Sequence, residues 1–267
     1  MIKISGLQKS FGARPVLCGL DVHLASGRVT AIVGPNGTGK TTLIKCILGL
    51  THADGGSLTV NGKQLNGDWM YREHIGYMPQ YAHYPENLSA REVIRLVKDL
   101  RNHPAGLDEE LESAFALSDE LDKPLRALSG GTRQKVSAVI AFLFQPRILF
   151  LDEPTAGLDP LASSVLKDKI MQVRDEGRTV VLTSHIMSEI EELADRIVFL
   201  LDGKVWFEGD TEAVKRDTGE ERLERAVAHL MRRGPNFNPA IRCRDVEAIE
   251  GRDIYSKSPS LTAFRFS

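Results

Sequence analysis

The segment that most narrows what this chain can fold into is Gly34-Pro35-Asn36-Gly37-Thr38-Gly39-Lys40-Thr41, followed by Thr42. It lies between RVTAIVG (28–34), a short β-branched apolar run, and TTLIKCILGL (41–50), whose apolar residues recur at helical spacing. A buried strand, a glycine-rich loop and a helix in that order are the context that the pattern G-x-x-x-x-G-K-[ST] demands. Glycines let successive backbone N–H groups turn toward one centre with no Cβ in the way. Those groups, with the roughly half positive charge of a helix N-terminus, suit a polyphosphate. Lys40 is expected to reach the β- and γ-phosphates of a nucleotide, and the Thr41 hydroxyl to ligate Mg²⁺.

The rest of the chain supplies a matching architecture. Ile2, Ile4 and Leu7, a turn at Phe11-Gly12, then Val16, Leu20 and Val22 read as antiparallel strands. From about Pro85 to Gln145 the pattern is mostly helical, and Ser89 with Glu92 forms a capping box. RILFLDEP (147–154) is a strand, SSVLKDKIMQVRDEG (163–177) a helix, TVVLTSH (179–185) a strand, MSEIEELADR (187–196) a helix and IVFLLDGKVWFEG (197–209) a hairpin. Strands alternating with helices indicate an α/β layer with a parallel sheet. Met70, Met78 and the scattered aromatics read as core, and RNHPAGLDEELES (101–113) as a solvated face. Residues 234–267 carry prolines and asparagines with little periodicity and read as a peripheral or partly disordered extension.

Composition excludes several functions. The 267 residues suit one large domain, or a domain with a subdomain. Lys+Arg 34 against Asp+Glu 36 gives a net charge of -2, without the basic excess of a dedicated nucleic-acid binder. Cys18, Cys46 and Cys243 show no CxxC spacing, so neither a cysteine zinc site nor a disulfide framework is expected. MIKISGLQKS has no apolar core of a signal peptide, and no run approaches the ~18 apolar residues of a membrane span. A membrane role would need a separate membrane partner.

Two further stretches carry chemistry. In ILFLDEP, Asp152 and Glu153 follow a buried strand, at the strand end where open α/β sheets bind ligands. Asp152 can hold Mg²⁺ through water, and Glu153 can polarise an attacking water as general base. In ALSGGTRQK, Ser129, Gly130 and Gly131 open another helix and so form a second anion site. Two phosphate-binding helix ends on one chain are explained if the second serves another copy.

Here the chain resembles the ATP-binding-cassette family. The Walker A loop is GPNGTGKTT, the signature LSGGT, the Walker B run ILFLDE and the D-loop AGLDP, which contains Asp159. His185 takes the switch-histidine place and Gln80, in IGYMPQ, the Q-loop place. The resemblance covers roughly residues 1–230. It implies an α/β P-loop NTPase (RecA-like) core, an antiparallel β subdomain and an inserted helical subdomain at about 85–135, within a domain of 1–233. It implies ATP and Mg²⁺ as ligands, with Thr41, Gln80 and Asp152 toward the metal. It also implies head-to-tail dimers holding two ATP molecules, each between one chain's Walker A and the other's signature. Phe11 would stack on adenine, and Thr132 replaces the usual glutamine after the signature glycines. The function so implied is ATP hydrolysis coupled to transport, export in preference to import, by a separate transmembrane permease, through which the chain, cytoplasmic and peripheral, sits on the inner face of the cell membrane. A soluble cassette acting on nucleic acid or ribosomes is the alternative, but the long coiled coil, zinc modules and tandem cassettes of such proteins are missing. A metabolic phosphoryl transferase would leave LSGGT and AGLDP unexplained.

Overall fold

A computed structural model describes residues 1–65, 70–101 and 106–233. The expected extension at 234–267 and Cys243 lie outside the described residues. In chain order the elements are β1 (Ile2–Phe11), β2 (Arg14–Leu24), β3 (Val29–Val33), α1 (Lys40–Ile47), β4 (Gly55–Val60), β5 (Lys63–Gln64), β6 (Ile75–Met78), α2 (Ala90–Arg101), α3 (Glu110–Ala114), α4 (Gly130–Phe142), β7 (Ile148–Asp152), α5 (Pro160–Asp175), β8 (Thr179–Thr183), α6 (Met187–Leu193), β9 (Arg196–Leu201), β10 (Lys204–Asp210), α7 (Thr211–Thr218) and α8 (Leu223–Arg233). The strands form an antiparallel sheet in the order β2-β1-β4-β5 and a six-stranded sheet in the order β10-β9-β3-β8-β7-β6. The second is parallel except at β10, which pairs antiparallel with β9.

Every residue of β3, β7 and β8 is buried. Successive side chains point to opposite faces of a sheet, so each of these strands feeds two cores. Val29, Ala31, Val33, Leu149, Leu151, Val180 and Leu182 pack against the helices from α2 to α6 and against α8. Ile32, Ile148, Phe150 and Val181 pack on the other side against α1 and the antiparallel sheet. Two-sided burial explains the unbroken apolar runs, whereas β1 sets buried Ile2 and Ile4 around exposed Lys3. Each large apolar side chain so buried contributes about 1.5–3 kcal/mol against the cost of ordering the chain.

Local signals place the helices. Before α2, the Ser89 hydroxyl accepts from the Glu92 N–H at 3.2 Å and the Glu92 carboxylate accepts from the Ser89 N–H at 2.7 Å, closing the capping box. Such a cap stabilises a helix by about 0.5–2 kcal/mol. Asp159 caps α5, with Pro160 in the first turn. Two expectations need correction. Met70 is 49% exposed, because it stands on a surface turn of 3₁₀ helix, whereas Met78 is buried in the sheet. The charged stretch at 101–113 is not wholly solvated, although 102–105 lie outside the described residues. Leu111 is buried there, and Lys169 of α5, only 4% exposed, pairs with Asp108 at 2.8 Å and with Glu110 at 2.5 Å. A buried ammonium needs such partners. Helices α7 and α8 have no counterpart among the sequence expectations. Leu223, Ala226, Val227 and Leu230 of α8 join the larger core.

The sheet also levels the ends of four strands. Thr183 pairs with Ile32 on one side and Asp152 on the other, while Met78 pairs with Leu151. The segments leaving β3, β6, β7 and β8 therefore open onto one edge, the carboxyl edge of the parallel strands.

Candidate active site

The loop from β3 to α1 is shaped by close approach. Gly34 has φ +151°, and a Cβ there would stand 2.2 Å from the Leu200 carbonyl oxygen. The loop then turns into α1 at Gly39, a left-handed N-cap that offers no side-chain hydrogen bond to the first turn. The Lys40 ammonium, on a 7% exposed residue, donates to the carbonyls of Gly34 at 2.7 Å and Pro35 at 3.1 Å. Burial lowers its pKa below the ordinary lysine value, and the nearby carboxylates of Glu153 and Asp152 oppose that shift. Thr38 is buried and turned inward, its hydroxyl donating to the Pro35 carbonyl at 2.9 Å.

Behind the loop, Asp152 is 2% exposed at the end of β7. One of its oxygens accepts from the Thr41 hydroxyl at 2.8 Å, the other from the Thr183 hydroxyl at 2.5 Å. Burial, reinforced by the Asp152 charge, pushes the Tyr77 phenol up to about 12, so it stays neutral at physiological pH. Glu153 has φ +51°, a conformation that costs a non-glycine residue on the order of 1–3 kcal/mol and persists only where its surroundings enforce it. Its carboxylate accepts from the Gln80 amide at 2.9 Å and lies 3.4 Å from His185 Nδ1.

A cavity of about 590 Å³ is lined by Phe11, Arg14 and Val16, by Asn36, Gly37, Gly39, Lys40, Thr41 and Thr42 of the loop and helix start, and by Gln80, Tyr81, Glu153 and His185. Phe11 is 54% exposed, with the Lys9 ammonium 5.5 Å from its ring centre, so it is a face available for stacking and not a core residue. Gly34, Pro35 and Thr38 support the loop from behind.

Ser129, Gly130, Gly131 and Asp159 are not among the residues that line this cavity. Ser129 and Gly130 are exposed at the start of α4. The Ser129 hydroxyl accepts from the Thr132 N–H at 3.0 Å and shares a hydrogen bond with the Thr132 hydroxyl at 2.8 Å. Gly131 packs closely on the D-loop, where a Cβ would stand 2.7 Å from the Gly157 carbonyl oxygen. Asp159 is engaged within its own chain, accepting from the Ala162 N–H at 2.8 Å and pairing with Lys135 at 2.9 Å.

Comparison to known proteins gives the family and the fold. The family model described as ABC transporter matches residues 17–156. The chain belongs to the ABC transporter family. It is an ATP-binding cassette with ATPase chemistry. A daunorubicin resistance ATP-binding protein of Streptomyces coeruleorubidus is 36% identical to the cassette over 229 residues, which are 84% of this chain and 72% of that one. A lantibiotic transport ATP-binding protein of Streptococcus pyogenes is 34% identical over 226 residues, 84% of this chain and 94% of that one. A solved ATP-binding subunit of an ABC transporter superposes with a TM-score of 0.77 at 30% identity, covering 86% of the cassette and 99% of that chain. The cassette thus has the P-loop NTPase fold expected of it.

Several residues that shape the site carried no sequence signal. Gln134 of α4, 6% exposed, reaches the backbone carbonyls of Glu153 and Pro154, both at 3.4 Å. The Glu189 carboxylate accepts from the Thr155 hydroxyl at 2.8 Å and from the Ser184 hydroxyl at 3.3 Å. The nearest hint of these partners is their position, a few residues from a motif. Among the described residues no helix is long and apolar enough to cross a membrane.

Proposed function

We propose that the cassette, residues 1–233 with a helical subdomain at about 85–135, is the energy-coupling subunit of an exporter. It would dimerise around two ATP molecules and drive a separate transmembrane permease at the inner face of the cell membrane. The names of the two relatives, drug resistance and lantibiotic transport, support export. Tyr81, next to Gln80, and Leu96 and Leu100 on α2 are exposed apolar side chains that a permease could cover. No nucleic-acid partner is proposed.

Within the site, backbone N–H groups of Gly37, Gly39, Lys40, Thr41 and Thr42 would hold the phosphates, with the Lys40 ammonium toward the β- and γ-phosphates. Phe11 would stack on adenine. The second phosphate contact would come from Ser129, Gly130 and Gly131 of a partner copy, with the partner's Asp159 beside it. The donor set also fits Mg²⁺. Asp152 is a buried carboxylate which, among the described residues, has only hydroxyl partners. No cluster of three or more His, Cys, Asp or Glu among the described residues could cage a metal alone, which suits an ion held by few protein oxygens and the substrate's phosphates. Thr41, Asp152 and Gln80 would hold it, and when bound it would neutralise charge developing on the β- and γ-phosphates.

The observation that carries this reading is the placement of Glu153. Its carboxylate lines the same cavity as the phosphate loop, near enough to act on Lys40, and is held by Gln80 and His185. There it can take a proton from a water attacking the γ-phosphate, with Gln80 orienting that water and His185 holding the carboxylate and the phosphate in line. Glu153→Gln keeps the shape and the binding groups but removes the base. Single-turnover hydrolysis should fall by ~10²–10⁴, while ATP binding survives and the ATP-loaded dimer lives longer. Hydrolysis within a few-fold of wild type would remove Glu153 from this role.

A further inference from the structure

We propose that Thr183, a buried threonine at the end of β8, is the positioning residue that sets both carboxylates of the hydrolytic site. The inference rests on the roles proposed above for Asp152 and Glu153. Side chains on neighbouring positions of a strand point to opposite faces, yet the proposed roles require Asp152 and Glu153 to serve one phosphate site. The chain resolves the conflict by leaving the β conformation at Glu153, whose φ is +51°. Something must hold that kink, and Thr183 does so twice. Its carbonyl accepts from the Glu153 N–H at 3.1 Å, and its hydroxyl accepts from the same N–H at 3.0 Å.

The hydroxyl has one proton to give and two lone pairs. The proton goes to Asp152, whose carboxylate oxygen lies 2.5 Å away. One oxygen atom therefore ties the side chain of Asp152 to the backbone of Glu153, and the ladder register that pairs Thr183 with Asp152 keeps it there. Since Thr41 holds the other Asp152 oxygen at 2.8 Å, the rotation of that carboxylate is fixed from both sides. Thr183 itself is 0% exposed. It does not touch the cavity, so its effect passes through the two acids. The next two residues serve the same segment, Ser184 through Glu189 to Thr155 and His185 to Glu153.

The test uses the full chain and compares Thr183→Val with Thr183→Ser. Valine keeps the branched shape and loses the hydroxyl; serine keeps the hydroxyl and loses a methyl. If the hydroxyl positions the acids, kcat of Thr183→Val falls by ~10–100-fold, the usual range for a group orienting a metal-binding residue. In the same protein the KM for ATP stays within about threefold, since the phosphate loop is intact, and half-saturation by Mg²⁺ moves to higher concentration. Thr183→Ser restores kcat even if its thermal midpoint is the lower of the two. A role in packing alone reverses that order, with valine near wild type and serine impaired, and overturns the proposal. Should Thr183→Val fail to fold, Thr183→Ala replaces it. Alanine and serine then equal in kcat overturns the proposal, while serine active and alanine impaired supports it. Glu153→Gln in the same assay separates the two levels. If it turns over at the wild-type rate, the reading of the site fails. If it is inactive while Thr183→Val runs at the wild-type rate, only the role of Thr183 fails.

Discussion

Two helices of this molecule start at glycines and are proposed above as phosphate sites, yet they begin differently. At α1 the N-cap is Gly39, which offers no side-chain acceptor, and Lys40 beside it is buried among groups of its own chain. At α4 the N-cap is Ser129, whose hydroxyl caps the Thr132 N–H, and Ser129 and Gly130 are exposed. The first helix start leaves its N–H groups free and surrounds them with a lysine, a threonine and two acids. The second is self-capped, its Ser129 hydroxyl bonded to both the N–H and the hydroxyl of Thr132. A phosphate can be bound at the first by one chain alone. At the second it must be brought by something else, and the sandwich proposed above supplies it from a second copy.

That contrast can be broken by experiment. Ser129→Arg should leave ATP binding by the isolated chain unchanged and lower turnover by ~10²–10³, the range seen when a donor to developing charge is removed. Calorimetric binding beside steady-state ATPase assays reads both; full activity would show that α4 serves no phosphate. Lys40→Ala should act in the opposite compartment of the same assay. A hydrogen bond from a charged group is worth about 1.5–3 kcal/mol, so ATP affinity should fall by roughly 10–100-fold. If Lys40→Ala binds ATP normally and only Ser129→Arg loses it, the two helix starts have been assigned the wrong way round.

The smallest effect sharpens the comparison. Ser129 Oγ has two lone pairs and one proton. If the Thr132 hydroxyl and N–H fill the lone pairs, at 2.8 and 3.0 Å, the serine's own proton is aimed outward. Thr132→Val keeps the N–H and removes the hydroxyl. Turnover should drop by roughly 2–10-fold, in line with one neutral hydrogen bond, and Thr132→Ser should recover it. An unchanged rate in Thr132→Val would reduce the threonine to a plain substitute for the usual glutamine.

The sequence was most legible where backbone conformation dictates residue type. The loop at 34–41, the capping box at Ser89 and Glu92, and the apolar run before Asp152 each leave a pattern that few other structures need. Legibility failed where a common residue takes an uncommon job. Thr183 ends a strand in which a β-branched residue is ordinary, so nothing in TVVLTSH marks its hydroxyl as shared by two acids. The stretch 101–113 reads as solvated, although its Asp108 and Glu110 pair with the buried Lys169 of α5. Asp159 was legible as part of a motif, but the motif did not disclose that its oxygens are occupied by Ala162 and Lys135 within the chain. Long-range pairing decides such cases, and one-dimensional periodicity does not carry it.

The order of strands in the larger sheet bears on how the molecule comes into being. β3, which launches the phosphate loop, has β8 and β9 as its two neighbours, and both come from the last third of the described chain. Gly34 leans on the carbonyl of Leu200, in β9 itself. A ribosome adding about 5–20 residues per second needs on the order of ten seconds to travel from one to the other. Throughout that interval the glycine loop has been made but lacks the Leu200 carbonyl it packs against. Nucleotide competence should therefore come late in synthesis, once β9 has left the exit tunnel. A product terminated just before Arg196 would contain every residue assigned to the ATP site, yet lack β9 and the elements after it, β10, α7 and α8, and should bind ATP weakly.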